Sequence, residues 1–441
     1  MQYEYMDSGI EWIGTIPKHW KTRRIKDVSD YVQTGKTPPS SKGDFFTDGS
    51  IDWFTPADLD NEPIVYSSKR KIIPKSIEKK LVPYFKANTI LFVGIGATVG
   101  KISKIVNNAS CNQQINAILF SAKMYHQYGL YYMLITGTEI KKFASFVTLP
   151  IFTQTDTKQL QIIVPTIKEQ KVIANYLDNA CENIEKTIKS KEQQIIKIND
   201  YYYSIIHEIV TKGLNKSTKL KSTNIECIGD IPIHWDMKRL FNICSFVRGN
   251  STFGKNELLD EGKYVALQYG KTYKVEEINE QFNFYVNDEF YKSSQVVNHG
   301  DTIFVSTSET MEDLGHSVFY NRKDIGLIGG EQILLKPNKN ILDGKYLFYS
   351  SKVFGQGLKK FATGIKVFRF DVYDLKTIYT PLPPLEEQLK IADYLEKTAD
   401  KVNKIKEKLQ AQIDTLKEYR KSLIHECVTG KKQIYKGSEG E

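Results

Sequence analysis

The stretch V-P-T-I-K-E-Q-K-V-I-A-N-Y-L at 164–177 decides how this chain is read, because it returns as L-P-P-L-E-E-Q-L-K-I-A-D-Y-L at 382–395. In each copy a proline precedes a Glu-Gln pair, and apolar residues then recur mostly three and four positions apart, the spacing of one helix face. In the first copy Thr166 and Glu169 have capping-box spacing directly after Pro165. The stripe continues through Ile173, Leu177, Ile184, Ile188, Ile195, Ile198 and Ile205 and stops at Gly213. In the second copy Ile391, Leu395, Val402, Ile405, Leu409, Leu416 and Leu423 lead to Gly430, and Lys and Glu fill the other faces of both. Each pattern predicts a helix of about 45 residues, roughly 65 Å long at ~1.5 Å per residue. So narrow a stripe on so long a helix is a coiled-coil seam, and the partner that offers itself is the other copy.

Working outward, the rest of the chain is duplicated in the same order. E-W-I-G-T-I-P-K-H-W at 11–20 answers E-C-I-G-D-I-P-I-H-W at 226–235, and T-I-L-F-V at 89–93 answers T-I-F-V at 302–305. Gln114 answers Gln332, K-K-F-A at 141–144 recurs at 359–362, and I-I-H-E-I-V-T at 205–211 recurs as L-I-H-E-C-V-T at 423–429. Ahead of each helix lie about 150 residues of short β-branched and aromatic runs punctuated by Gly, Pro and Asn, which predict a mainly β globule with some helix. The expected fold is therefore α+β with an internal pseudo-twofold repeat: two mainly β domains, each followed by a long helix that pairs with the other as a coiled coil. The boundaries expected are a first globule at 1–160, a helix at 161–213, a second globule at 214–380, a helix at 381–432 and a disordered tail at 433–441.

Composition narrows the function classes. The formal net charge of +9 and the pI near 8.9 suit a polyanionic partner without proving one. The five cysteines are scattered and form no C-x-x-C pair, so reduced thiols in a cytoplasmic protein are expected, with neither a disulfide framework nor a zinc site. No signal peptide is expected from the N-terminal residues, and no apolar run approaches the length of a membrane span.

Motifs that invite enzymology fail on inspection. L-F-V-G-I-G-A-T-V-G-K at 91–101 has Gly94 one residue too far from Gly100 for a phosphate loop, and Ile102 stands where a magnesium-binding hydroxyl is needed. A tight turn between strands is the better reading. The Pro-Pro pairs at 37–40 and 382–385 lack the chemistry of an amino-methyltransferase loop. His207-Glu208 and His425-Glu426 lack a second histidine at i+4, so packing or capping is expected there, and no catalytic residue or metal ligand is assigned.

Two β-rich globules, each followed by a long helix carrying P-x-x-E-Q-x-x-I-A-x-Y-L, resemble the specificity-subunit family of type I restriction-modification systems over nearly the whole chain. W-I-G-T-I-P-K-H-W at 12–20, G-K-T-P-P-S-S with I-D-W-F-T-P-A-D-L within 35–59, and T-V-G-K at 98–101 add to the resemblance. The second globule departs from it, with G-N-S-T-F-G-K at 249–255 and S-T-S-E-T at 306–310, which suggests a different target. The resemblance implies that each globule reads one half of a bipartite site in double-stranded DNA, and that the helices pair antiparallel and fix the gap. It also implies two modification subunits, which carry S-adenosylmethionine and methylate adenine. Two restriction subunits would complete an ATP- and Mg2+-dependent nuclease. This chain would hold no cofactor and catalyse nothing. Polar and basic residues in expected loops are the candidates for DNA contact: Lys36, Thr37, Ser40, Ser41, Lys42, Thr55 and Lys101 in the first globule. In the second they are Arg248, Asn250, Ser251, Lys255, Gln268, Lys271, Ser306, Lys366 and Arg369. Trp20 and Trp235 are assigned to the core, and Trp53 to either packing or stacking. The competing reading is a coiled-coil adaptor whose globules bind proteins.

Overall fold

The structure is a computed structural model and describes residues 4–39, 41, 44–59, 63–144, 151–364 and 366–434. The expected tail lies outside the described residues from 435 onward. The chain divides into two units, Met1–Lys191 with Ala411–Glu441, and Glu192–Gln410. Each is a mixed helix-and-strand domain. The division cuts both long helices, so each unit holds the start of one and the end of the other.

In the first unit a five-stranded sheet is formed by β1 (Ser29–Thr34), β2 (Ile64–Val65), β3 (Ile90–Val93), β4 (Ile102–Ile105) and β5 (Ile115–Phe120), in the order β1-β5-β3-β4-β2. Only β2 and β4 are parallel. The second unit repeats this with β6 (Cys244–Arg248), β7 (Glu277–Ile278), β8 (Thr302–Val305), β9 (Ser317–Tyr320) and β10 (Gln332–Pro337) in the order β6-β10-β8-β9-β7, and again only β7 and β9 are parallel. The recurrent I-L-F-V and T-I-F-V stretches are the central strands β3 and β8, and all four positions of each are buried. A strand covered on both faces reads as a continuous apolar run rather than an alternation. The cover on one face comes from a helix in each unit, α1 (His126–Ala144) against β4 and β5, and α3 (Gly344–Phe354) against β8, β9 and β10.

The long helices are α2 (Ile167–Lys212, 46 residues) and α4 (Leu385–Val428, 44 residues). The expected capping box at the head of α2 is present: Thr166 donates through its backbone N–H (3.0 Å) and its hydroxyl (2.7 Å) to Glu169, whose own N–H returns to the Thr166 hydroxyl at 3.3 Å. Glu169 also accepts from Trp20 Nε1 at 3.1 Å and lies 2.7 Å from His19 Nε2. The second unit has Pro384 in place of Thr166, but Glu387 still accepts from Trp235 Nε1 at 2.9 Å and lies 3.0 Å from His234 Nε2. The H-W and E-Q stretches that recur far apart in sequence are thus two halves of one junction.

A glycine completes each junction. Gly430 and Gly213 both have φ +75°, the left-handed conformation that ends a helix. A Cβ on Gly430 would lie 2.4 Å from Pro17 and 3.0 Å from Trp20, and one on Gly213 would lie 3.0 Å from Trp235. The end of α4 therefore seats against the first globule and the end of α2 against the second. Within the first unit Arg420 bonds Glu185 (3.0 Å) and Lys191 bonds Gln412 (2.6 Å); within the second, Lys406 bonds Asn199 (3.3 Å). Within the first unit, numbers rise along α2 as they fall along α4, so those two stretches run in opposite directions. Of the seam residues, Ile173, Leu177, Ile184, Ile188, Ile391, Leu395, Val402 and Leu423 are buried, while Ile195, Ile198, Ile205, Leu409 and Leu416 are half-buried. Ile405 is exposed. Ile206, beside Ile205, takes the burial at the end of α2 because it packs into the second globule's core with Ile209 and Val210.

Candidate nucleic-acid interface

In both globules the chain leaves the first strand of the sheet through a glycine that touches the backbone of the turn preceding the second strand in sheet order. In the first, Gly35 N donates to Ile115 O (2.9 Å), and a Cβ on Gly35 would fall 2.3 Å from the Asn112 carbonyl. In the second, Gly249 N donates to Gln332 O (2.9 Å), and a Cβ there would fall 1.8 Å from the Gly329 carbonyl. Only glycine permits so close an approach. The glycines in G-K-T and G-N-S therefore serve the same joint, although the residues after them differ.

Around the first joint, Lys36 is exposed and its backbone is pinned twice, by Lys36 N to Cys111 O (2.8 Å) and by Trp53 Nε1 to Lys36 O (3.1 Å). Trp53 is thus a packed core residue that holds the loop, with its ring against Phe46 and the Arg70 guanidinium nearby. Thr37 is exposed and donates to Gln113 Oε1 at 2.5 Å. Thr55 has its hydroxyl committed to Asp58 (2.7 Å), where it caps a short turn, and Lys101 Nζ reaches the Pro56 carbonyl at 3.4 Å. Ser41 is exposed; Ser40 and Lys42 lie outside the described residues. The glycine-rich stretch at 94–100 is the turn between the antiparallel strands β3 and β4, closed by Gly100 N to Val93 O (3.0 Å) and packed through Gly100 onto Gly137 of α1. So tight a packing fits a structural turn rather than a phosphate cradle.

Around the second joint, the turn Gly329–Gln332 gathers four loops. Ser251 forms a bridge with Gly329, Gly329 N donates to Leu267 O (3.0 Å) immediately before Gln268, and Ser306 N donates to Glu331 O (3.0 Å). Arg369 pairs with Thr307, and Phe370 N donates to Ser306 O (3.2 Å). Arg248, Asn250, Ser251, Gln268, Ser306 and Arg369 are thereby brought into one cluster. Arg248 and Arg369 are exposed, while Ser251 is buried and its hydroxyl has no partner among the described residues. Lys366 is exposed on the turn that leads into Arg369, and Lys255 is exposed four residues beyond Ser251 on the same loop, with no side-chain contact to the cluster among those described. Lys271 lies on the short helix that Gln268 begins, its ammonium 4.2 Å over the Phe284 ring.

Sequence reading missed the residues that build these joints. Gln295 is buried and bridges the second loop, accepting from Asn250 N (2.8 Å) and donating to Arg248 O (3.2 Å). Lys292 Nζ reaches the Asn250 carbonyl at 3.2 Å. Gln113 is exposed beside Thr37, and the matching Glu331 has φ +59°. The available signal was position, since both lie one residue before the recurrent glutamines Gln114 and Gln332. His207 donates through Nε2 to the Cys227 carbonyl (3.1 Å), and the His425 ring lies tilted against Trp12 with ring centres 6.1 Å apart, so both pack helix ends against their globules. No described helix is long and apolar enough to cross a membrane.

A family model described as the type I restriction modification DNA specificity domain matches twice, at 17–216 and 232–415. A Methanocaldococcus jannaschii protein assigned as the type I restriction enzyme MjaX specificity subunit is 26% identical over 437 residues, covering 96% of each chain. The MjaIX specificity subunit of the same organism is 29% identical over 251 residues, 54% of this chain and 55% of its own. Among solved structures, a chain from a study of complex assembly and conformational transition of the type I R-M system shares the fold with a TM-score of 0.67 at 15% identity, covering 94% of this chain and 99% of that one. The two matches of the family model take in both glycine joints, the whole of α2, and α4 as far as residue 415, and the chain belongs to the type I restriction modification DNA specificity family, whose members are the non-catalytic specificity subunits of these systems.

Proposed function

We propose that each globule reads one half of an asymmetric, bipartite site in double-stranded DNA, and that α2 and α4 form an antiparallel coiled coil that sets the spacer between the halves. The observation that carries this reading is the repeated joint: two sheets of one topology present differently furnished polar loops at the same glycine-pinned corner. A shared scaffold with dissimilar loops is what two different half-sites require. Lys36, Lys101, Arg248, Lys366 and Arg369 would neutralise phosphates, which adds affinity without sequence information. Thr37, Asn250, Gln268 and Ser306 would face base edges, where hydrogen-bond patterns distinguish base pairs. The exposed faces of the helices would dock two modification subunits in the cytoplasm, and two restriction subunits would join them. S-adenosylmethionine, ATP and Mg2+ would belong to those partners.

The reading is tested by measuring DNA affinity against salt for the complex of this chain with its modification subunit. We expect log K to fall linearly with log salt, and replacing both Lys36 and Lys366 by Ala to flatten the slope by about 0.9 for each phosphate that is no longer neutralised. A slope unchanged by these substitutions removes the two lysines from the interface. A chain that contributes no salt-linked binding is a protein-binding adaptor instead.

A further inference from the structure

Each globule is fastened to the first turns of the helix that follows it by three sets of polar contacts, and the sets recur in both units. The first is the junction of Trp20 and His19 with Glu169, repeated by Trp235 and His234 with Glu387. The second is the neighbouring glutamine. Gln170 is buried, accepts from Tyr125 N (2.7 Å) and donates to Pro165 O (2.9 Å) and Lys123 O (3.3 Å). Gln388, equally buried, accepts from Asp343 N (2.9 Å) and donates to Pro383 O (2.8 Å) and Ile341 O (2.9 Å). The third lies farther along the helix. Asp178 accepts from Tyr131 (2.7 Å) and from Gln127 (2.6 Å), which in turn accepts from Lys104 (2.5 Å) of β4. In the second unit Glu396 pairs with Lys345, whose ammonium lies 5.6 Å over Phe319 of β9. Lys104 and Phe319 hold equivalent register positions, opposite Ile90 and Thr302.

Capping α2 needs only Thr166 and Glu169, so the remaining contacts do something other than start a helix. A glutamine buried with three bonds to loop backbone fixes those loops against the helix. Ties spread over nine residues, about 13 Å along the axis at ~1.5 Å per residue, stop the globule from turning on its mount. Fully satisfied buried polar groups of this kind select one arrangement over nearby ones. On DNA that orientation has a defined consequence, because moving a half-site by one base pair also rotates it by about a tenth of a helical turn. A globule free to swivel would follow that rotation and accept the neighbouring spacer.

We propose that Gln170 and Gln388, together with Trp20 and Trp235, are positioning residues that confine the complex to a single spacer length. Helix length sets the distance between half-sites, and these ties set the angle at which each is met. The proposal rests on the bipartite reading above. Its test is methylome sequencing of a host expressing the modification subunit with the full chain carrying Gln170→Ala and Gln388→Ala. Both half-site sequences should be unchanged, while the ratio of methylation at the native spacer to that at spacers one base pair longer or shorter falls about tenfold, the scale expected for losing buried hydrogen bonds. Trp20→Phe with Trp235→Phe keeps an aromatic ring and removes the indole donor, so it decides the matter if the glutamine variants fail to fold; it should produce the same shift at smaller size. Methylation confined to the native spacer in the folded variants overturns the proposal. Lengthening both helices by four residues separates the two claims: an unmoved spacer sinks the ruler itself, whereas a moved spacer with stringent tie variants sinks only the positioning role.

Discussion

Glu169 accepts from Thr166 twice and from Trp20, faces His19, and lies buried where the first globule meets α2. Burial opposes its ionisation, but the hydrogen bonds from His19, Thr166 and Trp20 together outweigh that, and the carboxyl is held below its ordinary value of 4.5. A group whose pKa is lower folded than unfolded contributes stability above the unfolded value and loses it as pH falls through the folded one. Acidification below pH 4.5 should therefore weaken the first unit, and Glu169→Gln should lower stability near neutrality while flattening the acid dependence. Thermal unfolding followed by circular dichroism from about pH 3 to about pH 7 checks this; parallel curves for the two proteins would show that Glu169 is not the titrating tie. At this scale the sequence revealed the capping box but not its other half. Trp20 and Glu169 are 149 positions apart, and nothing local to either announces the indole hydrogen bond.

Among the elements, α2 and α4 were the most legible, because a sustained apolar stripe with a proline before it and a glycine after it has few other interpretations. Their observed spans of 46 and 44 residues match the length read from that stripe. The strands were legible in kind, but the common order of the two five-stranded sheets was not, since partners such as β1 and β5 are set by long-range packing. The corner where the polar loops meet was least legible. Gln295 and Gly329 reach it from distant stretches with no periodicity to mark them, and the hydroxyl of Thr55 proved to be committed to a local cap. If the helices are the ruler, adding four residues to both lengthens each by about 6 Å, at ~1.5 Å per residue. The methylated motif should then keep both half-sites and gain about two base pairs of gap, at ~3.4 Å per base pair. A motif with its original gap would mean that something other than helix length sets the spacing.

For the molecule as a whole, duplication is the feature that would let one chain address two different sequences, as proposed above. The repeated parts are those that mount a globule on a helix: Trp20 and Trp235, Glu169 and Glu387, Gln170 and Gln388, Gly213 and Gly430. The parts that differ, G-K-T-P-P-S-S against G-N-S-T-F-G-K and T-V-G-K against S-T-S-E-T, lie in or beside the loops around the corner. Under the proposed function the same line would separate mounting, held constant, from reading, free to vary. The most direct measurement is methylome sequencing of a host that expresses this chain with its modification subunit, set against one that expresses the modification subunit alone. The account expects new N6-methyladenine in a split motif, two unlike half-sites separated by one fixed gap. No new mark, with the modification subunit shown to be competent, or a mark in one continuous motif, would contradict it.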